Sequence, residues 1–278
     1  MKAIGLKIAN LLSLLWRLLP ERLRHLFLKG LFVLESRGAD TGAGMKRLFA
    51  LQDALDHVVN ERAMIYGKGE HPKHRLMRYH DFFIENIADG EKVIDIGCGY
   101  GAVARSIARA RPGSIVMGVD YDDMKLAQAR TSDNPGNLSF TNADATKSVP
   151  QGPWDVVVLS NVLEHITDRH AFLTALMEKT QAKRFLIRVP LFERDWRLPM
   201  RREVGANYYS DPDHKIEPMR DEFRKETAAA GLVLDDLKTR YKIPAANFLG
   251  HGDIIPGRKV DPSRFFPWKR LAERGFGL

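Results

Sequence analysis

One stretch of this chain permits few folds: "EKVIDIGCGYGAVARSIARA", residues 91 to 110, runs from a short apolar segment through three glycines into a helical pattern. Gly97, Gly99 and Gly101 give access to backbone conformations that strain other residues, so the chain can turn sharply from strand to helix. Such a strand, turn and helix opens a doubly wound α/β sheet, whose ligands lie beyond the carboxyl ends of the strands. The downstream pattern agrees. Short apolar runs at residues 93–96, 114–119, 138–141, 156–159 and 185–189 suit buried parallel strands, and helical patterns near 102–111, 123–130 and 168–181 fall between most of them.

The glycine turn could hold a dinucleotide pyrophosphate or another ligand. Backbone N–H groups and a helix dipole favour an anion there. Asp95, two residues before the first glycine, opposes a pyrophosphate but suits ammonium and sulfonium charges. Glycines then let the backbone approach an uncharged nucleoside and an amino-acid tail, a description that S-adenosylmethionine satisfies. Two more acids close strands: Asp120 in "IVMGVD", where a carboxylate can accept both ribose hydroxyls, and Asp144 in "FTNADA", placed for an adenine amino group. Each could instead be a cap or turn residue; three in successive order are harder to explain so.

The ordered set "VIDIGCGYGAVA", "GVD", "NADA" and "WDVVVLSNVLEHI" resembles the class I S-adenosylmethionine-dependent methyltransferases over roughly residues 73 to 250. The resemblance implies a seven-stranded Rossmann-like sheet, with its last two strands drawn from residues 232–250. By similarity, Gly97, Gly99 and Gly101 line the methionine and ribose side, Asp120 binds ribose, Asp144 with Ala145 frames the adenine, and Asn161 borders the methionine moiety. Met124 is either an adenine contact or a core methionine. Within the family, the chain is most similar to bacterial enzymes acting on quinone precursors or on sugars of surface polysaccharides and other secondary metabolites. "RFLIRVPLFERDWRLPM" followed by "YYSDPDHKIEPMRDEF" resembles the polysaccharide-cluster subgroup, which implies an oxygen nucleophile on a sugar or lipid-linked glycan.

Methyl transfer from a sulfonium needs positioning more than activation. No metal ligand is assigned, and a sugar hydroxyl or phenol gains from a base. His165 in "LEHI" and His214 in "DPDHK" are the candidates, because imidazole titrates near neutral pH. His165 could equally orient a loop. His214 lies beside Asp211 and Asp213, either of which could fix its tautomer, and is favoured. Arg188, Glu193, Arg194, Arg197, Tyr208 and Tyr209 follow the fifth strand, where they either clamp an acidic acceptor or form a solvated loop. The three histidines of "HPKHRLMRYH" lack the partners of a zinc site.

Ahead of this domain, residues 1–37 carry seven Lys and Arg against two Glu, interleaved with leucine in two helical patterns broken at Pro20. Residues 1–80 hold 14 basic and 7 acidic side chains, whereas residues 81–278 hold 29 and 28, so the excess is N-terminal rather than catalytic. That distribution argues against a nucleic-acid enzyme. The arm's longest charge-free run, residues 8–16, is too short to span a bilayer, and no small-residue cleavage site follows it as a signal peptide would need. The arm either lies on an anionic membrane surface or packs against protein. "SRGADTGAG", residues 36–44, reads as a linker, giving an arm at 1–44, a helical cap at 45–90, the cofactor domain at 91–255 and a tail at 256–278. In the cap, Leu48, Leu51, Leu55, Val58 and Ile65, then Leu76, Phe83 and Ile87, are expected to face inward. One cysteine, Cys98, points to a reducing cytoplasm, with possible peripheral attachment to the membrane. Two readings of other classes stand beside this one, a nicotinamide-dependent oxidoreductase and a non-catalytic membrane-associated scaffold.

Overall fold

The computed structural model describes the backbone of residues 3–68 and 71–232, with side chains from residue 9 onward. By its contacts the chain divides into Met1–Glu226 and Thr227–Leu278. The first unit begins with three helices, α1 (Ala3–Leu18), α2 (Glu21–Ser36) and α3 (Thr41–Tyr66), followed by the short α4 (Lys73–Met77) and α5 (His80–Glu85). Then come β1 (Lys92–Ile96), α6 (Ala102–Ala110), β2 (Ile115–Asp120), α7 (Asp123–Thr131), β3 (Leu138–Asn142), β4 (Val156–Ser160), α8 (Arg169–Thr180) and β5 (Arg184–Arg188). After β5 lie α9 (Arg197–Glu203) and α10 (Arg220–Ala229), the latter crossing into the second unit, where the Leu232 N–H bonds Thr227 O at 2.9 Å.

The five strands form one wholly parallel sheet in the order β3-β2-β1-β4-β5. The five expected strands and three helices are all present, within a residue or so of their expected ends. Residues 233–250, expected to supply two more strands, lie outside the described residues, as does the tail at 256–278. Because the order reverses between β1 and β4, the connections after these two strands leave in opposite directions and open a crevice between them. The central strands β1 and β4 are buried on both faces, as covered parallel strands must be, while the edge strands β3 and β5 are only partly covered. Val93, Val116, Val156 and Val158 join Phe83 and Ile87, from α5 and the residues after it, and Val103, Ala104 and Ile107 of α6 in one buried cluster.

Three expectations about the helical cap need correction. Residues 36–44 are not a linker throughout: Asp40 caps α3 through Gly42 N and Ala43 N, so the helix starts at Thr41. Gly44 is buried there, and a Cβ would stand 2.3 Å from Ser36 O, so the glycine serves close packing of α3 on the end of α2. Arg47 reinforces this junction by donating to Glu35 O at 2.9 Å and Arg37 O at 2.8 Å. Most of the apolar stripe of α3 is turned outward, since Leu51, Leu55, Val58 and Ile65 are exposed, while Leu48 is half-buried and Phe49 is buried. The pattern after Pro72 is two helices, because Arg78 adopts a left-handed φ of 49° between them. Phe83 and Ile87 are buried as expected, and Leu76 is exposed.

Candidate functional site

The glycine turn is built from the strand outward. The Gly97 and Cys98 N–H groups bond Val119 O at 2.8 and 3.0 Å, folding the turn toward the end of β2. All three glycines have positive φ, at 68°, 53° and 76°. Gly101 opens α6 and lies so close to Phe140 of β3 that a Cβ would meet the ring at 2.6 Å, whereas a Cβ on Gly99 would enter open space. The backbone at Gly99 is therefore bare on the side where a ligand would lie.

Asp120 is 6% exposed at the end of β2, and each of its oxygens holds one backbone N–H: Oδ2 that of Gly99 at 2.7 Å, Oδ1 that of Asp122 at 2.9 Å. A carboxylate has about four lone-pair sites, so both oxygens keep capacity for a diol. Asp95 is 1% exposed beneath this turn, and its Oδ2 meets no donor. Burial pushes its pKa up to about 7; the Ala104 N–H works against this, and the Asp120 carboxylate adds to it. An orphaned buried oxygen, a bare glycine and a half-occupied carboxylate make a cradle that suits a cationic nucleoside.

The other expected cofactor residues are spread over the strand ends. Asp144 lies two residues beyond β3, where its carboxylate accepts from Thr146 N at 3.0 Å, Thr146 Oγ1 at 2.6 Å and Lys147 Nζ at 2.7 Å. Those donors hold its pKa at about 2 and give it a turn-forming role; Ala145 beside it is half-buried. Met124 is 84% exposed on the first turn of α7 and does not belong to the core. Asn161, just after β4, has a left-handed φ of 60°, its N–H bonds Arg188 O at 2.9 Å, and its Oδ1 accepts from Arg188 Nη1. A strained non-glycine residue at the reversal of strand order marks the crevice.

A second group joins the 3-10 turn after β4 to the segment between α9 and α10. His214 is buried, and its Nδ1 pairs at 2.8 Å with Oε1 of Glu217, not with Asp211 or Asp213 as expected. Glu217 reaches the ring from three residues on in an irregular segment, while Asp211 instead supplies its backbone carbonyl to His214 N. Glu217 also accepts from Ser210 N and Oγ, both at 2.7 Å, and from Arg194 Nη1 at 2.5 Å. Burial alone would raise the Glu217 pKa, but Arg194, Ser210 and His214 outweigh it and hold the group below its ordinary value. His165 packs edge-on against His214 with ring centroids 4.7 Å apart; burial lowers its pKa, and His214 adds to that.

Glu164, on the 3-10 turn Leu163–His165, is fully enclosed, and neither of its oxygens has a hydrogen-bond partner. Burial raises its pKa, eased by His214, Asn161 and Arg188. One ligand atom each from Glu164, His165 and His214 lies within 4.8 Å of the others, a donor set that could hold a divalent cation although none was assigned there from sequence. Neither Glu164 nor Glu217 was singled out from sequence. The signals were an acid inside the apolar run "NVLEHI" and an acid three residues after His214.

Three arginines at the end of β5 and beyond it are committed to protein partners: Arg188, which ends the strand, to Asn161 and the Tyr79 ring, Arg194 to Glu217, Arg197 to Asp195. Arg201, also unforeseen, is buried and ties α9 to α3 through Asp53, Gln52 and Phe49 O. The histidines of "HPKHRLMRYH" are structural. His74 bonds Tyr79 and His80, His80 bonds Ser106, and burial with His74 and Arg188 lowers the His80 pKa to about 4.

Comparison with known proteins gives this geometry a chemistry. The family model described as a methyltransferase domain matches residues 69–237, more than half of the chain. The ubiquinone biosynthesis O-methyltransferase of Rhodopseudomonas palustris (strain BisA53) is 27% identical over 179 residues, covering 58% of this chain and 68% of that one. The mitochondrial ubiquinone biosynthesis O-methyltransferase of Schizosaccharomyces pombe is 36% identical over 101 residues, 34% of this chain and 36% of the relative. Among solved structures, magnesium protoporphyrin IX methyltransferase from Synechocystis PCC 6803 aligns with a TM-score of 0.44 at 17% identity, over 59% of this chain and 74% of that one. With a methyltransferase domain matched over the parallel sheet, the glycine turn and the strand-end acids, the chain belongs to the class I S-adenosylmethionine-dependent methyltransferases.

Proposed function

We propose that the chain methylates an oxygen nucleophile on a small phenolic acceptor of the quinone-precursor kind, with His214 as the base. The observation that carries the base assignment is the buried pair of His214 Nδ1 with Glu217, which supports a tautomer whose Nε2 is left to take a proton. The phenolic class is supported by the relatives, which are named as O-methyltransferases of ubiquinone biosynthesis. A sugar hydroxyl is the competing acceptor, and the first test separates the two.

Bound S-adenosylmethionine supplies the activated methyl group. The protein's part begins at the turn, where Gly99 admits the nucleoside closely and Asp120 accepts the ribose hydroxyls. Asp144 and Ala145, with Met124, border the adenine; Asn161 borders the methionine end. Asp95 acts on the cationic end through the turn, since its carboxylate is enclosed. Glu217 positions His214 by holding its Nδ1, so that Nε2 faces the acceptor proton. The arrangement supports positioning as the main source of rate, with the base adding roughly 10²–10⁴-fold.

The test is transfer of a labelled methyl group from S-adenosylmethionine to catechols, simple phenols and hexoses. A catechol or phenol should accept the label, and His214→Ala should lose the base's factor of roughly 10²–10⁴ in kcat while keeping cofactor affinity. Labelling of hexoses alone would replace the phenolic reading with the glycan one. If His165→Ala shows the kcat loss and His214→Ala does not, the base is His165.

A further inference from the structure

The structure leaves the two N-terminal helices uncovered. No residue of α2 is buried, and no described side chain of α1 is either. Leu11, Leu15, Leu18, Leu26, Phe27 and Leu34 are all more than half exposed, Leu18 at 79%. Trp16 meets Phe27 edge-on at 6.0 Å across the Pro20 break, and α2 packs on α3, where Arg47 holds its far end. Leu12, Leu15, Trp16 and Leu19 line an open apolar groove along α1. An apolar surface this extensive on a water-soluble monomer marks an interaction site.

The charge around it selects the occupant. Residues 1–37 carry seven Lys and Arg against two Glu, and Arg17, Arg22 and Lys29 stand exposed between the leucines. A second copy of this surface would bring like charge against like charge, whereas anionic lipid headgroups complement it. Each helix has 16 residues, and among the described residues no helix is long and apolar enough to cross a membrane. We infer that α1 and α2 dock the enzyme on an anionic bilayer surface, lying in its plane with the leucines sunk to the headgroup boundary and the basic side chains among the phosphates. Trp16 stands in this surface, the side chain that membrane interfaces favour. This inference does not depend on which acceptor is methylated.

The experiment is co-sedimentation of the full-length protein with phosphatidylcholine vesicles, with and without phosphatidylglycerol, across a salt series. Vesicles containing phosphatidylglycerol should pellet the protein at ~0.05 M salt, and binding should fall at least ~10-fold by ~0.5 M, where the Debye length is only a few ångströms. Two full-length variants, Leu15→Asp/Phe27→Asp and Arg17→Glu/Arg22→Glu/Lys29→Glu, should each lose vesicle binding while still binding S-adenosylhomocysteine. Equal binding to neutral and anionic vesicles, indifference to salt, or undiminished binding by the charge-reversed variant would overturn the inference. So would a dimer by light scattering that ignores vesicles and that Phe27→Asp dissociates, which would make these helices an interface between copies. Should a variant fail to bind the cofactor, the lipid and salt dependence of the unaltered chain decides alone.

Discussion

Asp95 combines nearly complete burial, an unpartnered oxygen and a pKa near 7 in one side chain. Its folded pKa exceeds the ordinary 3.8, so the folded protein holds a proton that the unfolded chain releases. Stability without cofactor should therefore fall as pH rises from about 4 to 7, by up to roughly 4 kcal/mol for a shift of this size. Urea unfolding at intervals from pH 4.5 to 8 should show that decline in the unaltered protein and a flatter profile in Asp95→Asn. Parallel profiles would remove Asp95 as the cause. Cofactor affinity should run the other way and tighten as pH rises through 7, because only the ionised carboxylate attracts the ammonium and sulfonium charges; titration with S-adenosylmethionine at pH 6 and 8 checks the sign. The legible part of this residue was its type and place. Its enclosure was not legible, because that depends on how α6 closes over the turn, through the Ala104 N–H that neighbours the carboxylate.

At the scale of elements, the strand-turn-helix unit depends on backbone shape. Gly101→Ala combines a left-handed φ with a Cβ pressed into the Phe140 ring, and should destabilise by roughly 2–4 kcal/mol. Thermal unfolding checks this, and an unchanged Tm would show that β3 and the turn can part without cost. The insertion after β5 hangs on Arg201, which is buried against α3, although its partner Asp53 is half exposed and the pair is partly screened. Arg201→Ala should cost about 1–3 kcal/mol, chiefly from the hydrogen bonds left open at Asn207 O and Phe49 O. The strands were readable because runs such as "VVVL" bury both faces. The outward turn of α3 was not: Leu51, Leu55 and Val58 repeat at helical spacing, and that spacing gives the stripe without saying what covers it. The ion pair of Arg201 with Asp53 spans 148 residues, so nothing local announced it.

For the whole molecule, the sheet order carries the functional argument. Reversal between β1 and β4 brings the glycine turn and Asn161 to one crevice, and that follows from strand sequence and the parallel rule. The order of Asp95, Asp120 and Asp144 along three strands was legible for the same reason. The second group, His165 and His214 with Glu164 and Glu217, was only half legible. Its histidines were visible as residue types, but their edge-on stacking joins segments 49 residues apart through a fold the spacing does not encode. Apolar exposure runs along α1, α2 and α3, with the basic excess of residues 1–37 on the first two. The central claim is that the crevice beyond β1 and β4, with Asp120 beside it at the end of β2, holds S-adenosylmethionine through the glycine turn and Asp120. Isothermal titration of the full chain with S-adenosylmethionine in excess EDTA, beside Asp120→Ala and with NAD as the control, tests it most directly. The account predicts binding of S-adenosylmethionine without metal, none of NAD, and a loss of about ten- to hundred-fold in Asp120→Ala, the value of hydrogen bonds to a charged group. Undiminished affinity in Asp120→Ala, or binding of NAD in place of S-adenosylmethionine, would contradict it.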